Sequence, residues 1–165
     1  MINNIQMSVC VYLEVIMKFV IQRVKEASVT IDNQVKGAIN NGFLVYIGIG
    51  NDDSKLIADK MVSKLLNLRI FADSEGKTNL SIQDVNGQIL LISQFTLYAN
   101  CKKGNRPSFT QAGAPDMANS LYEYIIESVK KQIPVVQTGE FGADMSVSSI
   151  NDGPFTILLD SVEII

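Results

Sequence analysis

Polar side chains able to do chemistry gather at the end of one apolar run. The run at residues 88–97 (QILLISQFTL) places Ser93, Gln94 and Thr96 near its end, and a loop rich in glycine and proline follows at residues 100–115. A strand that ends in polar residues is a common place for a functional site. The structural alternative is that Ser93 and Thr96 satisfy turn hydrogen bonds while Gln94 lies on the surface, and the pattern alone favours it.

A second candidate is the segment NDGPFT at residues 151–156. Asn, Asp, Gly and Pro are ordinary β-turn residues, so the pattern by itself favours a turn that joins the last two strands. A Gly-Pro bond can also be cis, which would hold the carbonyls of Gly153 and Pro154 in a rigid and unusual direction.

The chain contains no histidine, which limits the chemistry of any site. Ser-His and Cys-His nucleophile pairs, histidine general bases and zinc sites of the histidine type are excluded. Cys10 and Cys101 provide neither a metal-binding spacing nor a disulfide framework, which fits a reducing, cytoplasmic compartment. Any reaction must use backbone amides, hydroxyls, carboxylates, lysines or the substrate itself, and we expect no metal ion and no cofactor.

Lys102, Lys103 and Arg106 form a basic cluster in a chain whose net charge is −3. Proteins that coat long stretches of nucleic acid are usually basic, so extended duplex binding is not expected. The cluster is either a solvated loop or a small patch that contacts phosphates near one end of a nucleic acid. The acidic pair Asp52 and Asp53 is better explained by capping of a helix than by acid–base catalysis.

The elements that would position these residues follow from the hydrophobic pattern. Buried strands are predicted at residues 42–49 and 88–97, and helices at residues 56–68 and between Pro115 and Pro134. Shorter strands are predicted at residues 18–24 and 27–32, which would form a hairpin beside the Asp32-Asn33 turn, and at residues 69–72, 135–138, 145–150 and 155–159.

This order of elements predicts one α/β domain of stacked sheets with helices on one side. The 165 residues and the 47% hydrophobic composition suit a single core. We divide the chain into an extension at residues 1–16, interpreted as an upstream start or an accessory strand, and a domain at residues 17–165. The extension lacks the basic region and cleavage site of a signal peptide, and it is too short and polar to span a bilayer.

Together these segments resemble the D-aminoacyl-tRNA deacylase family (the D-tyrosyl-tRNA(Tyr) deacylases) from residue 17 onward. Several motifs in the right order are far more specific than any one of them. The matching segments are IQRV at 21–24, ASV at 27–29, NLRIF at 67–71, SQFTL at 93–97, RPSF at 106–109, QTG at 137–139, FGADM at 141–145 and NDGPFT at 151–156.

The resemblance implies a three-layer β/β/α domain that works as a homodimer with its active site at the subunit interface. It assigns catalysis to Ser93, Gln94, Phe95 and Thr96. It also implies that Gly153 and Pro154, joined by a cis bond, reach the site from the other subunit and select substrate chirality. Supporting and adenosine-pocket roles fall to Arg23, Phe141 and Met145, and tRNA phosphate contacts to Lys102, Lys103 and Arg106.

The implied reaction is hydrolysis of the ester of D-aminoacyl-tRNA, and of glycyl-tRNA formed on the wrong tRNA, as chiral proofreading. An activated ester needs a placed water and donors for the oxyanion, which amides near Phe95 and Thr96 can supply. Activation of the water by the 2′-hydroxyl of the terminal adenosine is preferred to a covalent mechanism at Thr96, because no base accompanies Thr96. Two other hypotheses are a noncatalytic module that binds a nucleic-acid end or a protein, and a hydrolase of small esters that uses Thr96 or Ser93.

Overall fold

One long strand organises the first part of the protein, whose computed structural model describes residues 17–164. β1 (Lys18–Ile31) turns at Asp32 and Asn33 into β2 (Gln34–Ile39), and β3 (Gly42–Gly48) follows. Both turn residues have positive φ, 50° and 62°, a conformation that Asp and Asn tolerate in tight hairpins. The prediction that residues 18–24 pair with residues 27–32 is wrong, because both runs belong to β1 and the turn leads into β2.

The remaining elements alternate between short strands and helices. They are α1 (Lys55–Leu66), β4 (Phe71–Ala72), β5 (Thr78–Leu80), β6 (Gln88–Ser93), a 3-10 helix (Phe95–Tyr98), α2 (Pro115–Lys130), β7 (Val136–Thr138), β8 (Ser146–Asp160) and α3 (Ser161–Ile164). β6 lies parallel to β3 and to β7. In the described part of the chain, no helix is long and apolar enough to cross a membrane.

β8 is a single strand of 15 residues that runs antiparallel along nearly all of β1. The prediction of separate strands at residues 145–150 and 155–159, joined by a turn, is therefore wrong. Asn151 is opposite Val24 and Thr156 is opposite Gln22, so the residues between them bulge out of the strand. Among the strands that the structure describes, β8 pairs with β1 alone, and its other edge is free.

Two hydrophobic cores lie on opposite faces of the central strands. Phe43 and Leu91 belong to the larger core, which also contains the apolar faces of α1 and α2. Their neighbours Leu44 and Leu90 point to the other face, as alternation along a strand requires. The smaller core consists of Val24, Ala27, Val29, Ile39, Leu44, Leu90 and Ile92. The predicted β/β/α layering is confirmed, while the interpretation of residues 1–16 lies outside the described residues.

Candidate active site

The SQFT residues lie where two parallel strands end. Ser93 is the last residue of β6, and the N–H of Gln94 donates to the carbonyl of Ile47 on β3 at 2.7 Å. Beyond this bond the chain turns into the 3-10 helix Phe95–Tyr98. The carboxyl ends of adjacent parallel strands are a usual place for ligand sites. β6 is thus shorter than predicted, because residues 95–97 leave the sheet.

The side chains of the motif face solvent in different degrees. Ser93 and Gln94 are half-buried, Thr96 is exposed and Phe95 is 56% exposed. The Gln94 side-chain amide donates to the hydroxyl oxygen of Thr96. The Phe95 ring meets the ring of Phe109 edge-on, with 5.1 Å between centroids. The motif therefore presents an apolar ring and an amide–hydroxyl pair at the mouth of the site.

Two cavities open beside this motif and share Ser93, Phe95, Phe141 and Gly142. The first has a volume of about 320 Å³, and its lining is completed by Ile47, Ile49, Ala112, Gly113, Pro115 and Ala118. The second has a volume of about 280 Å³, and its lining is completed by Ile92, Gln94, Ala143, Asp144, Met145 and Val147. Of the residues that sequence analysis assigned, Ser93, Gln94, Phe95, Phe141 and Met145 are brought together.

Sequence analysis missed the wall of the first cavity formed by Ala112 and Gly113. The N–H of Gly113 donates to the carbonyl of Ile49 at 2.8 Å, and Gly50 pairs with Ala112. The only local signal is the glycine and proline content of the loop at residues 100–115. That composition predicts a loop without showing that the loop packs against the end of β3.

The NDGPFT segment forms a bulge in β8 opposite Arg23. The bond between Gly153 and Pro154 is cis, and both residues are exposed. The Nε of Arg23 donates to the carbonyl of Asp152 at 3.1 Å and lies 3.2 Å from its carboxylate. The guanidinium also lies over the Phe155 ring, 4.7 Å from its centroid. The interpretation of the segment as an ordinary turn between two strands is therefore wrong.

Other contacts complete the support of the bulge. The side-chain oxygen of Asn151 accepts from the N–H of Phe155 at 2.6 Å, and its amide donates to the Phe155 carbonyl at 3.3 Å. Arg23 also donates to the carbonyl of Ile70, which ties the bulge to the loop before β4. Neither Gly153 nor Pro154 lines the two cavities of the same chain.

Comparison with known proteins decides the family. The model of the D-Tyr-tRNA(Tyr) deacylase family matches residues 20–160. The chain belongs to this family. It is 41% identical to a solved structure described as c-Myc DNA Unwinding Element Binding Protein, with a TM-score of 0.82, covering 86% of this chain and 97% of that chain.

A second solved structure, described as a probable eukaryotic D-amino acid tRNA deacylase, is 20% identical. Its TM-score is 0.75, and the match covers 87% of this chain and 98% of that chain. At this identity the likeness supports the fold. The family resemblance drawn from the motifs is confirmed, and the protein is a hydrolase of the deacylase class.

Two tyrosines are buried close to the cavities of this D-Tyr-tRNA(Tyr) deacylase family member. Burial raises the pKa of Tyr98 and of Tyr122 well above the ordinary value, so both hydroxyls stay protonated and donate hydrogen bonds. Tyr122 donates to the carbonyl of Leu91 at 2.8 Å, and its ring lies 6.1 Å from that of Phe141. Within residues 17–164, no group of three His, Cys, Asp or Glu side chains could hold a metal ion.

The basic residues of the deacylase lie outside the cavities. Lys102, Lys103 and Arg106 are exposed in the loop that follows the 3-10 helix. None of them lines the two cavities. The structure thus places three separate groups: the motif with its cavities, the bulge held by Arg23, and the basic loop.

Proposed function

We propose that this deacylase hydrolyses the ester bond of D-aminoacyl-tRNA and releases free D-amino acid and tRNA, as chiral proofreading of translation in the cytoplasm. The observation that carries the proposal is the position of the SQFT motif. It borders two cavities at the end of β6, one apolar and one with polar groups. A terminal nucleoside that carries a small amino acid needs such a divided site.

The first amides of the 3-10 helix supply the oxyanion donors. The N–H groups of Phe95 and Thr96 have no acceptor within the helix, because the first intrahelical bond runs from Leu97 to Gln94. They can bind the ester oxygen as its negative charge develops. A water oxygen attacks the carbonyl carbon, the bond to the ribose oxygen breaks, and that oxygen takes up a proton as the D-amino acid leaves.

Thr96 is a poor nucleophile in this arrangement. Its hydroxyl oxygen accepts from Gln94, and a covalent mechanism needs a partner that removes the hydroxyl proton. Gln94 instead orients the scissile group, and its side-chain amide is held by the hydrogen bond to Thr96. The vicinal 2′-hydroxyl of the terminal ribose activates the water, so the substrate provides the group that a histidine-free chain lacks.

The terminal adenosine binds beside Phe141. The ring of Phe141 borders both cavities and is supported from behind by Tyr122. A planar base stacks on such a ring, which contributes about 1–3 kcal/mol to the binding of a base. Met145 lines the second cavity and adds a polarizable contact there. Lys102, Lys103 and Arg106 then contact phosphates of the 3′ strand.

The working unit is a homodimer in which each subunit completes the site of the other. β8 has a free edge in the described protomer, and the exposed apolar residues Ile150 and Leu158 lie on it, at 51% and 58% exposure. Gly153 and Pro154 are exposed on the same strand and do not line the cavities of their own chain. These features support a second copy across this edge, whose bulge reaches the SQFT motif.

Selection against L-amino acids follows from exclusion. The carbonyl groups of Gly153 and Pro154 from the partner subunit hold the α-amino group, and the bulge fills the space where an L side chain would lie. The D side chain points away and is not read. Glycine has no side chain to exclude, so glycyl-tRNA formed on the wrong tRNA is also a substrate.

Parallel assays of D-Tyr-tRNA, L-Tyr-tRNA and Gly-tRNA with purified protein test the proposal. We expect rapid loss of the D ester and the glycyl ester and no loss of the L ester. D-tyrosine methyl ester should not be hydrolysed, since it lacks the adenosine. Equal hydrolysis of the D- and L-tyrosyl esters would contradict the proposed chiral selection. Hydrolysis of the methyl ester would favour a hydrolase of small esters.

A nucleic-acid-binding function is the second candidate, because the relative at 41% identity is described as binding a DNA unwinding element. The net charge of −3 does not suit extended contact with a duplex. Binding to a labelled duplex, without loss of any aminoacyl ester, would favour this candidate over the deacylase reaction.

A further inference from the structure

Asp53 precedes α1 but does not cap it. The hydroxyl of Ser54 takes that role and accepts from the N–H of Ile57. The Asp53 carboxylate points back toward the sheet and accepts two backbone N–H groups, from Met17 at 2.7 Å and from Gly50 at 2.7 Å. The helix-capping interpretation of Asp53 is therefore wrong, and its carboxylate joins the start of β1 to the residues after β3.

The last two residues of β3 and the two residues after it (47–50) contact both sides of the first cavity. On one side, the carbonyl of Ile47 accepts from the N–H of Gln94, and the carbonyl of Gly48 accepts from the hydroxyl of Tyr98 at 3.4 Å. On the other side, Ile49 accepts from Gly113 at 2.8 Å, and Gly50 pairs with Ala112. A shift at the end of β3 would thus move the SQFT motif and the loop that faces it.

We propose that Asp53 is a positioning residue for the substrate cavity: by binding the amides of Gly50 and Met17, its carboxylate fixes the end of β3 and so holds Ala112 and Gly113 in place. The inference rests on the proposed function, because the cavity is the one assigned to the terminal nucleoside. Asp53 lines neither cavity and acts through these backbone contacts.

The charged and titratable groups around Asp53 make this contact sensitive to pH. Burial raises the pKa of Asp53 to about 6, against the opposing effect of the two amide donors, and the charges of Asp52 and Asp160 add to the rise. Lys18 on β1 lies 4.0 Å from Asp160 and over the Tyr98 ring. When Asp53 takes up a proton, one of its oxygens becomes a hydroxyl and a poor acceptor, so one amide is held less firmly.

The positioning role rests on the two amide contacts, and the pKa shift only predicts how a variant at Asp53 behaves. A carboxylate that stabilises the fold has a lowered pKa, whereas a raised one costs stability when ionised. Asp53→Asn should therefore fold, yet it replaces one acceptor oxygen by an NH2 group that cannot accept from Met17 or Gly50.

The matched pair Asp53→Asn and Asp52→Asn in the full chain provides the kinetic test, because Asp52 is exposed and carries the same charge. With D-Tyr-tRNA, Asp53→Asn should raise KM about tenfold and change kcat by less than about threefold, while Asp52→Asn changes neither. The kcat/KM of the unmodified protein should fall below pH 6, and Asp53→Asn alone should lose that inflection. Identical pH profiles for both variants would overturn the inference.

NMR of the unmodified full chain tests the same point without relying on deacylation. The amide resonances of Ala112 and Gly113 should shift with a midpoint near pH 6, and in Asp53→Asn they should not. If the chemical shifts of these amides in the unmodified protein do not change with pH, the positioning role is wrong even if the enzyme deacylates D-Tyr-tRNA. If the resonances of Ala112 and Gly113 shift with pH but the protein has no deacylase activity, the positioning role of Asp53 stands and the proposed function is rejected.

Discussion

The two motifs of the proposed site are held in opposite ways. The SQFT motif lies at the end of two buried parallel strands, and backbone hydrogen bonds to β3 fix it. The NDGPFT bulge lies on a strand whose second edge is unpaired within residues 17–164, and side chains of Arg23 and Asn151 hold it. A site held by the backbone tolerates side-chain changes, whereas one held by side chains depends on single residues. In the proposed function, the hydrolysis therefore occurs at the SQFT motif, which the backbone holds, and the chiral selection at the NDGPFT bulge, which side chains hold.

The largest effect is expected from Arg23→Ala. The side chain binds Asp152, Ile70 and the Phe155 ring, and its removal leaves those groups without a partner. Removing one partner of a fully buried ion pair costs about 3–5 kcal/mol, and the cost here should be smaller because Asp152 is partly exposed. We expect a clear drop in the free energy of unfolding and a loss of D-Tyr-tRNA deacylation of about 100-fold or more. Arg69→Ala, which removes an exposed arginine bonded to Asn79, is the control and should change both little.

Gly153→Ala tests the bulge more locally. At this position φ is +145°, and an added Cβ would lie 2.9 Å from the backbone nitrogen of Phe155. We expect deacylation of D-Tyr-tRNA to fall about tenfold and the preference for the D over the L ester to narrow, because the bulge must shift. Gly76→Ala is the matched control, since Gly76 also has positive φ but no atom within 4 Å of an added Cβ. If Gly153→Ala keeps the full preference for the D ester, the bulge does not select substrate chirality.

The difference between local and tertiary contacts also explains which structural elements the sequence predicts correctly. The apolar pattern correctly predicts β3, β6 and the buried face of α2, because local burial determines it. It does not show that β6 ends at Ser93, because Phe95 and Leu97 continue the apolar pattern. The strand ends because the chain turns into a 3-10 helix at Phe95, although the N–H of Gln94 still bonds to Ile47.

The bulge was hidden for a related reason. Residues that favour turns also suit a bulge, and only the register of β8 against β1 separates the two. The sequence also misleads at Asp53, because an acidic residue before a helix is typical of a cap, and one of its two partners, Met17, is 36 residues away. The resemblance provided candidate site residues and the supporting Arg23, but the local pattern could not show the other contacts that hold them.

The side-chain contact of Asp53 belongs to the region held by the backbone, and it should make the stability of the protein depend on pH. The pKa of Asp53 rises from 3.8 to about 6 on folding, so between these values the folded state binds more protons than the unfolded state. The contribution of Asp53 to the free energy of unfolding should therefore be full below about pH 4 and be lost as pH rises through 6. The slope should be modest, since the group is partly exposed, and urea unfolding of Asp53→Asn should lack it.

The smallest effect is expected from Thr96→Ala, although Thr96 is the hydroxyl nearest the proposed chemistry. The change removes the acceptor of the Gln94 amide but leaves the backbone N–H groups of residues 95 and 96 where they are. If those amides bind the oxyanion, kcat with D-Tyr-tRNA should fall less than about threefold, whereas a covalent mechanism predicts a loss of about 1,000-fold or more. Single-turnover kinetics distinguish the two results, with Thr96→Ser as the control that restores the hydroxyl. A large loss in Thr96→Ala that Thr96→Ser reverses would mean that this region, too, depends on one side chain.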